Sequence, residues 1–328
     1  MTDIWKEHPE LFHYTSGIGL LGILSTQQLR GTSARFLNDA EEQTGYLDRC
    51  LPIVVRTSAR IGLDALSKNP SGAQQIELAG GIDKAVEIAT KELSTVLRET
   101  TLAHNHQFVT SFCTSATSYV RQNGLLSQWR GYGRDGGYAI VFDTEQLHKQ
   151  INEEHSRFAY LYGIMGDVEY YEDNAARARS TDAMQDEDSI RDALVEFLRT
   201  TAEESLAPLF EPIARRTCLH KHHGFEEERE VRLVNLLPTE ETLSQMNLAG
   251  NKKARKPVEF MSRDGLLIPY ISVLGRSEAN LDFKLPITRI IIGPNTDMQR
   301  RKRSILSLFS EKGIEAEIVA SEIPYIGR

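Results

Sequence analysis

Gly137-Tyr138-Ala139-Ile140-Val141-Phe142 is a continuous apolar run, with apolar side chains at alternate positions on both faces. A strand of that kind is stable only where other layers cover it above and below. The chain is therefore predicted to build a sheet with packing on both sides. Ile287 to Ile292 reads as a second buried strand, and Gln107 to Cys113 is apolar with β-branched residues. Shorter strands are predicted at Leu11 to Tyr14, Leu29 to Ala34, Tyr160 to Tyr171, Val258 to Met261, Leu266 to Val273 and Ala316 to Val319.

Helical spacing separates these strands. Ile18, Leu21 and Leu24 recur on one helix face, with Ser16 as a cap. A helical stretch is predicted from Asn38-Asp39 through Leu66, kinked or broken at Pro52, and another from Gln74 to Leu102. Together these residues, 40–105, read as a helical insertion within a single domain spanning 1–328. Further helices are expected at Ile190 to Ala214, Glu240 to Leu248 and Asp297 to Lys312, and residues 174–190 read as a polar, mobile connection. The order of elements is α+β rather than a regular βαβ alternation.

Composition limits the function classes. Hydrophobic content of 40% and charged content of 26% are ordinary for a globular protein. A net charge of −8 argues against coating nucleic acid by bulk electrostatics, so the basic runs at 252–256 and 300–303 read as solvated faces. The three cysteines, Cys50, Cys113 and Cys218, form no Cys-x-x-Cys pair, which favours a reducing compartment. The first residues hold no apolar segment of signal-peptide length, and nowhere is there an apolar run long enough to span a membrane. Cytoplasmic location is the expectation.

Chemistry concentrates at residues 225–234, Phe-Glu-Glu-Glu-Arg-Glu-Val-Arg-Leu-Val. As a strand, this stretch would project Glu228, Glu230 and Arg232 from one face and Arg229, Val231 and Leu233 from the other. Two carboxylates beside a guanidinium suit stabilisation of a developing positive charge, or activation of a hydroxyl. An acidic helix start accounts for Glu226 to Glu228 equally well. His13 and Thr15 share a strand face, with Tyr14 on the other. His13 is either a ribose contact or a satisfied core histidine. Val109 to Ser115 interleaves hydroxyls with Phe112, which suits a flat polar ligand but also a plain strand followed by a Ser/Thr turn. Trp129 and Tyr132 are three apart on a predicted helix, packed beneath the Gly137–Phe142 strand or lining a cleft. Gly131-x-Gly133 lacks the setting of a phosphate loop, and a serine-hydrolase elbow is absent. Cys218, His220, His222 and His223, and His104-x-His106, lack a second cluster at ligand spacing, so no metal is expected.

The order of these motifs carries more than each alone. His13-Tyr14-Thr15, Asn38-Asp39 with Glu42, Ser111-Phe112-Cys113, Gln128-Trp129-Arg130-x-Tyr132, the Gly137 strand, Glu228-x-Glu230-x-Arg232 and Ile290 to Pro294 follow in series. This series resembles a bacterial family, the domain of unknown function 2971, from about Leu11 to Pro294. The opening His-Tyr-Thr strand with its Ile/Leu-rich helix also resembles ADP-ribosyltransferases of the His-Tyr-Glu type.

That second resemblance implies a mostly antiparallel split β-sheet and NAD as substrate. Glu230, Glu228 and His13 become catalytic, and His13, Tyr14, Thr15, Ser111, Phe112, Tyr138 and Arg232 bind NAD. Phe112 departs from the expected motif, so Tyr14, Tyr138 or Trp129 would supply the nicotinamide stack. The implied activity is NAD-dependent mono-ADP-ribosyl transfer to an acceptor (protein, nucleic acid or small molecule), in a toxin or phage-defence setting. The alternatives are a non-catalytic NAD- or nucleotide-sensing module and a carboxylate-dependent hydrolase or nuclease effector.

Overall fold

The computed structural model describes residues 4–37, 44–103, 106–132, 137–171, 181–248, 250, 253–275 and 284–325. Its strands are β1 (Glu10–Thr15), β2 (Leu29–Ser33), β3 (Gln107–Cys113), β4 (Tyr138–Asp143), β5 (Tyr162–Asp167) and β6 (Glu169–Tyr171). They continue with β7 (His220–His222), β8 (Glu230–Leu236), β9 (Glu259–Arg263), β10 (Leu266–Val273), β11 (Ile287–Ile292) and β12 (Glu317–Ala320). The helices are α1 (Ile4–Glu7), α2 (Gly17–Thr26), α3 (Leu51–Leu66), α4 (Pro70–Leu78), α5 (Ile82–Ala103) and α6 (Ser118–Asn123). After them come α7 (Leu126–Tyr132), α8 (Thr144–Arg157), α9 (Thr181–Thr200), α10 (Phe210–Cys218), α11 (Glu240–Leu248) and α12 (Met298–Lys312).

The chain divides into two compact units. One comprises residues 37–107 and 169–223, so the helical stretch expected at 40–105 is joined by a second helical segment. Its core is built by Leu51, Val55, Leu97, Ile190, Leu194 and Ile213. Gly62 lets α3 approach α9 closely, because a Cβ there would fall 2.8 Å from Leu198 Cβ. Of residues 174–190, expected as a mobile connection, 174–180 lie outside the described residues and 181–190 are the first half of α9. Pro52 sits in the first turn of α3, directly after a π-helical turn at Tyr46–Cys50, so the break expected there falls at a helix start, where proline's missing N–H costs nothing.

The other unit, residues 2–36, 108–168 and 224–328, carries the main sheet. The strand order is β12-β11-β4-β1-β3-β2-β10-β9, with β8 pairing β3 and β5. β1 and β4 run antiparallel in unbroken register from Glu10↔Asp143 to Thr15↔Tyr138. β11 and β12 are parallel, which requires a crossover, and α12 supplies it. The architecture is α+β with a mostly antiparallel sheet, as the sequence predicts.

Both faces of the centre of that sheet are covered. Leu11, Phe112, Ile140, Phe142, Val231, Leu233, Ile290 and Ile292 form one core with Leu20 and Leu24 of α2 and Ile305 and Phe309 of α12. Phe12, Tyr14, Cys113, Ala139, Val141 and Ile291 form the second, beneath Trp129 of α7. The split of alternate β4 residues between two cores is the condition that its apolar run imposed.

Trp129 is 1% exposed and belongs to the packing, as one of its two expected roles required; Tyr132 lies exposed. The Trp129 Nε1–H donates to the Asn123 carbonyl at 3.0 Å. Gly124 passes under the indole at φ 74°, where a Cβ would collide with the ring. Trp129→Ala is therefore expected to cost about 3–5 kcal/mol. A thermal melt by circular dichroism checks this, and an unchanged midpoint would remove Trp129 from the core.

Candidate functional site

β3 and the residue that follows it carry two anchors. Near its middle, the Ser111 carbonyl accepts a hydrogen bond from His13 Nδ1 at 3.0 Å. β1 and β3 share one registered pair, Phe12↔Cys113, so the imidazole continues across side chain to backbone where the ladder stops. Three residues later, Thr114 holds the loop entering β8. Its N–H and its Oγ1–H donate to the Arg229 carbonyl at 3.0 and 3.1 Å. One strand thus ties the His13 motif to the Glu228-Arg229-Glu230 turn across roughly 10 Å of chain.

The protonation of His13 follows from that contact. A carbonyl only accepts, so Nδ1 carries the proton and the neutral ring leaves Nε2 as an acceptor. Desolvation holds its pKa below the ordinary histidine range, and the bond to Ser111, which acts in the opposite direction, is the smaller influence. Phe112 packs edge-on against the imidazole at 5.9 Å and, equally, against Phe142.

The turn at Glu228 differs from the strand expected there. Residues His223–Glu228 form a 3-10 helix, and the Arg229 N–H donates back to the Glu226 carbonyl at 3.1 Å. Arg229 itself takes a left-handed conformation, φ 44°, and β8 begins only at Glu230. Three successive glutamates have low β-propensity and stay solvated in a helical turn, so Glu228 leaves the strand face it was expected to share with Glu230. Left-handed backbone at a non-glycine residue stores about 1–3 kcal/mol, held here by Thr114.

Glu230 and Arg232 do share a face, and they close on each other. Arg232 Nε donates to Glu230 Oε1 at 2.8 Å and its NH2 group to Oε2 at 2.9 Å, with the side chains 4% and 1% exposed. Val231 and Leu233 lie in the same core as Leu11 and Phe112, so alternation puts Glu230 and Arg232 on the sheet face opposite His13.

The expected residues therefore separate into three groups. His13, Thr15 and Tyr138 lie on one face and are half-buried. Thr15 Oγ1 fills the space where Gly19 of α2 would carry a Cβ, and the Tyr138 ring lies against Gly17 with Arg301 5.7 Å from its centroid. Tyr14 and Phe112 are core. The Tyr14 hydroxyl accepts from the Leu125 N–H at 2.8 Å, and its ring meets Trp129 edge-on at 4.9 Å. Glu228, Glu230 and Arg232, with the half-buried Ser111, make the third group at the β3–β8 junction. Asn38, Asp39 and Glu42 lie outside the described residues. Thr114 went unrecognised as a tether because a hydroxyl after a strand reads as an ordinary turn.

The histidines near Cys218 build an aromatic stack. His220 lies flat on Tyr171 at 4.4 Å, with Tyr46 edge-on and its Nε2 3.5 Å from Cys50 Sγ. Among the described residues the one group of three side chains close enough to share a cation is Glu7, His8 and Asp167, which is a surface cluster.

The fold is that of an α+β protein in which β3 links two polar clusters on opposite faces of one sheet. Residues 128–233 match the family described as Protein of unknown function (DUF2971), which bears out the resemblance to that family over the stretch from Gln128 through the Glu230–Arg232 strand. No curated protein and no solved structure matches the chain. No helix among the described residues is long and apolar enough to cross a membrane.

A pH dependence follows from the buried histidines. His155 donates from Nε2 to Asn235 Oδ1 at 2.7 Å, and desolvation lowers its pKa as it does that of His13. Both neutral rings contribute fully above about pH 6.5, the unfolded histidine value, and that contribution is lost as pH falls toward the lowered folded values. The melting temperature should be level from pH 8 to 7 and decline below about 6.5. His13→Gln should flatten part of that decline; an unaltered slope would show that His13 is not held neutral.

Proposed function

We propose that the protein is an NAD-using mono-ADP-ribosyltransferase. The observation that carries this reading is the service of one strand to two motifs: Ser111 of β3 holds His13, and Thr114, just past its end, holds the Glu228-x-Glu230 turn. His13 and Glu230 face opposite sides of the sheet, so this reading requires the dinucleotide to reach Glu230 around the end of β3, at the Thr114–Arg229 turn. In this reading His13 Nε2 accepts from a ribose hydroxyl, with Thr15 and Tyr138 beside it on the same face. The bond between nicotinamide and ribose C1′ breaks, and its electron pair leaves with nicotinamide. The oxocarbenium-like ribose that results is stabilised by the carboxylate of Glu230, whose oxygens Arg232 fixes in position. Glu228 accepts the proton of the attacking acceptor.

A second reading is favoured by one feature. Glu230 is 4% exposed and both its oxygens are engaged by Arg232, an arrangement that suits a nucleotide-binding module without turnover.

Incubation with NAD labelled in the nicotinamide ring separates the two. The transferase releases free nicotinamide, and the module binds NAD without releasing it. Glu230→Gln should depress release by about 10²–10³-fold while leaving NAD affinity nearly unchanged, as for a group acting in the transition state. Glu228→Gln should impair transfer more than hydrolysis by water. Melting curves on both variants exclude misfolding as the cause, since Glu230→Gln strips the buried Arg232 of its counter-charge. Absence of NAD binding in the unaltered protein would sink both readings.

A further inference from the structure

β9 ends the strand order, and among the described residues it pairs only with β10. Such an edge offers unpaired amides and carbonyls to any passing strand, and proteins usually blunt it with lysine, proline or a bulge. β9 has no lysine, proline or bulge; its only charges, Glu259 and Arg263, stand at its two ends in Glu259-Phe260-Met261-Ser262-Arg263, opposite in sign. Its hairpin turns at Asp264–Gly265, with φ 52° and 82°, a two-residue turn whose twist matches that of the flanking strands and which sets their register. Phe260 and Leu267 are 63% and 70% exposed. The pairs Pro269↔Phe260 and Leu267↔Ser262 put them on one face of the hairpin.

We propose that β9 pairs antiparallel with β9 of a second copy of this chain, about a two-fold axis at Met261, joining two sheets into one. The strand's charges select this arrangement. Antiparallel pairing centred on Met261 gives full overlap of the strand and sets Glu259 opposite Arg263 of the other copy, twice by symmetry. Parallel pairing in register would set Glu259 against Glu259 and Arg263 against Arg263. On the apolar face each Phe260 lies opposite Ser262 of the other copy, whose small side chain leaves the ring room to reach Leu267 beyond it.

The charged ends are held in place before any partner arrives. Glu259 accepts from the Tyr270 hydroxyl at 3.0 Å and from Ser272 Oγ at 2.7 Å. Arg263 donates to the Phe36 carbonyl at 2.7 Å, and its remaining N–H groups are available to a carboxylate.

Sedimentation velocity over a concentration series tests the pairing. The unaltered protein should shift from monomer to dimer as concentration rises. Glu259→Arg and Arg263→Glu should each weaken the dimer by about tenfold or more, because two attractive cross-strand pairs become repulsive. An equimolar mixture of the two variants should dimerise again, since each supplies the charge that the other lost. That recovery also shows that neither variant is misfolded. A protein monomeric at all concentrations, variants that dimerise like the unaltered chain, or a mixture that stays monomeric would each overturn the proposal.

Discussion

The sheet of the larger unit depends on what β3 must satisfy. It pairs with β1, β2 and β8, more strands than two edges can hold along their full length, so its neighbours share it in portions. β2 takes Phe108 and Val109, and β1 takes Cys113. Where a neighbour departs, a side chain bonds the β3 backbone, as His13 does at the Ser111 carbonyl. Such a bond contributes only about 1 kcal/mol net, but an unmet buried carbonyl would cost about 1–3 kcal/mol. His13 therefore meets the β3 backbone just where β1 leaves it, with its second ring nitrogen left as an acceptor.

The buried Glu230–Arg232 pair works under a different constraint. Taking both charges from water costs several kcal/mol per ion, which the bidentate geometry offsets only because both ions are present. Loss of one partner would leave an uncompensated charge and cost about 3–5 kcal/mol. The pair also fixes register. A one-residue slip of β8 would turn Glu230 and Arg232 into the core of Leu11, Phe112 and Phe142, and Val231 and Leu233 out of it. The first residues of β8 are thus specified by charge on one face and by apolar contact on the other.

The legibility of these features in the sequence followed how local their causes are. The Gly137–Phe142 run declared a strand covered on both faces because every side chain in it was apolar, and the two cores divide its residues as alternation requires. α9 was half hidden. Its inward stripe is Ala183, Asp186, Ile190 and Leu194, and an aspartate at a core position breaks the apolar period. Asp186 is tolerated there because Arg215, 29 residues away in sequence, donates to both its oxygens. Desolvation still raises the Asp186 pKa against that pull. No window of neighbouring residues contains such a partner.

The Glu228–Glu230 turn was misread for a related reason. Period-two alternation describes a strand only where the backbone is extended, and the left-handed Arg229 ends that description one residue before β8. What holds Arg229 is Thr114, again distant in sequence. The consequence is chemical as well as geometric. On a continuous strand Glu228 and Glu230 would face the same way with matched environments. The turn instead leaves Glu228 half-buried and Glu230 sealed against Arg232. Carboxylates in unlike settings can take unlike roles. The strained Arg229 between them is therefore what sets the two carboxylates in different surroundings, one in a solvated turn and one paired inside the sheet.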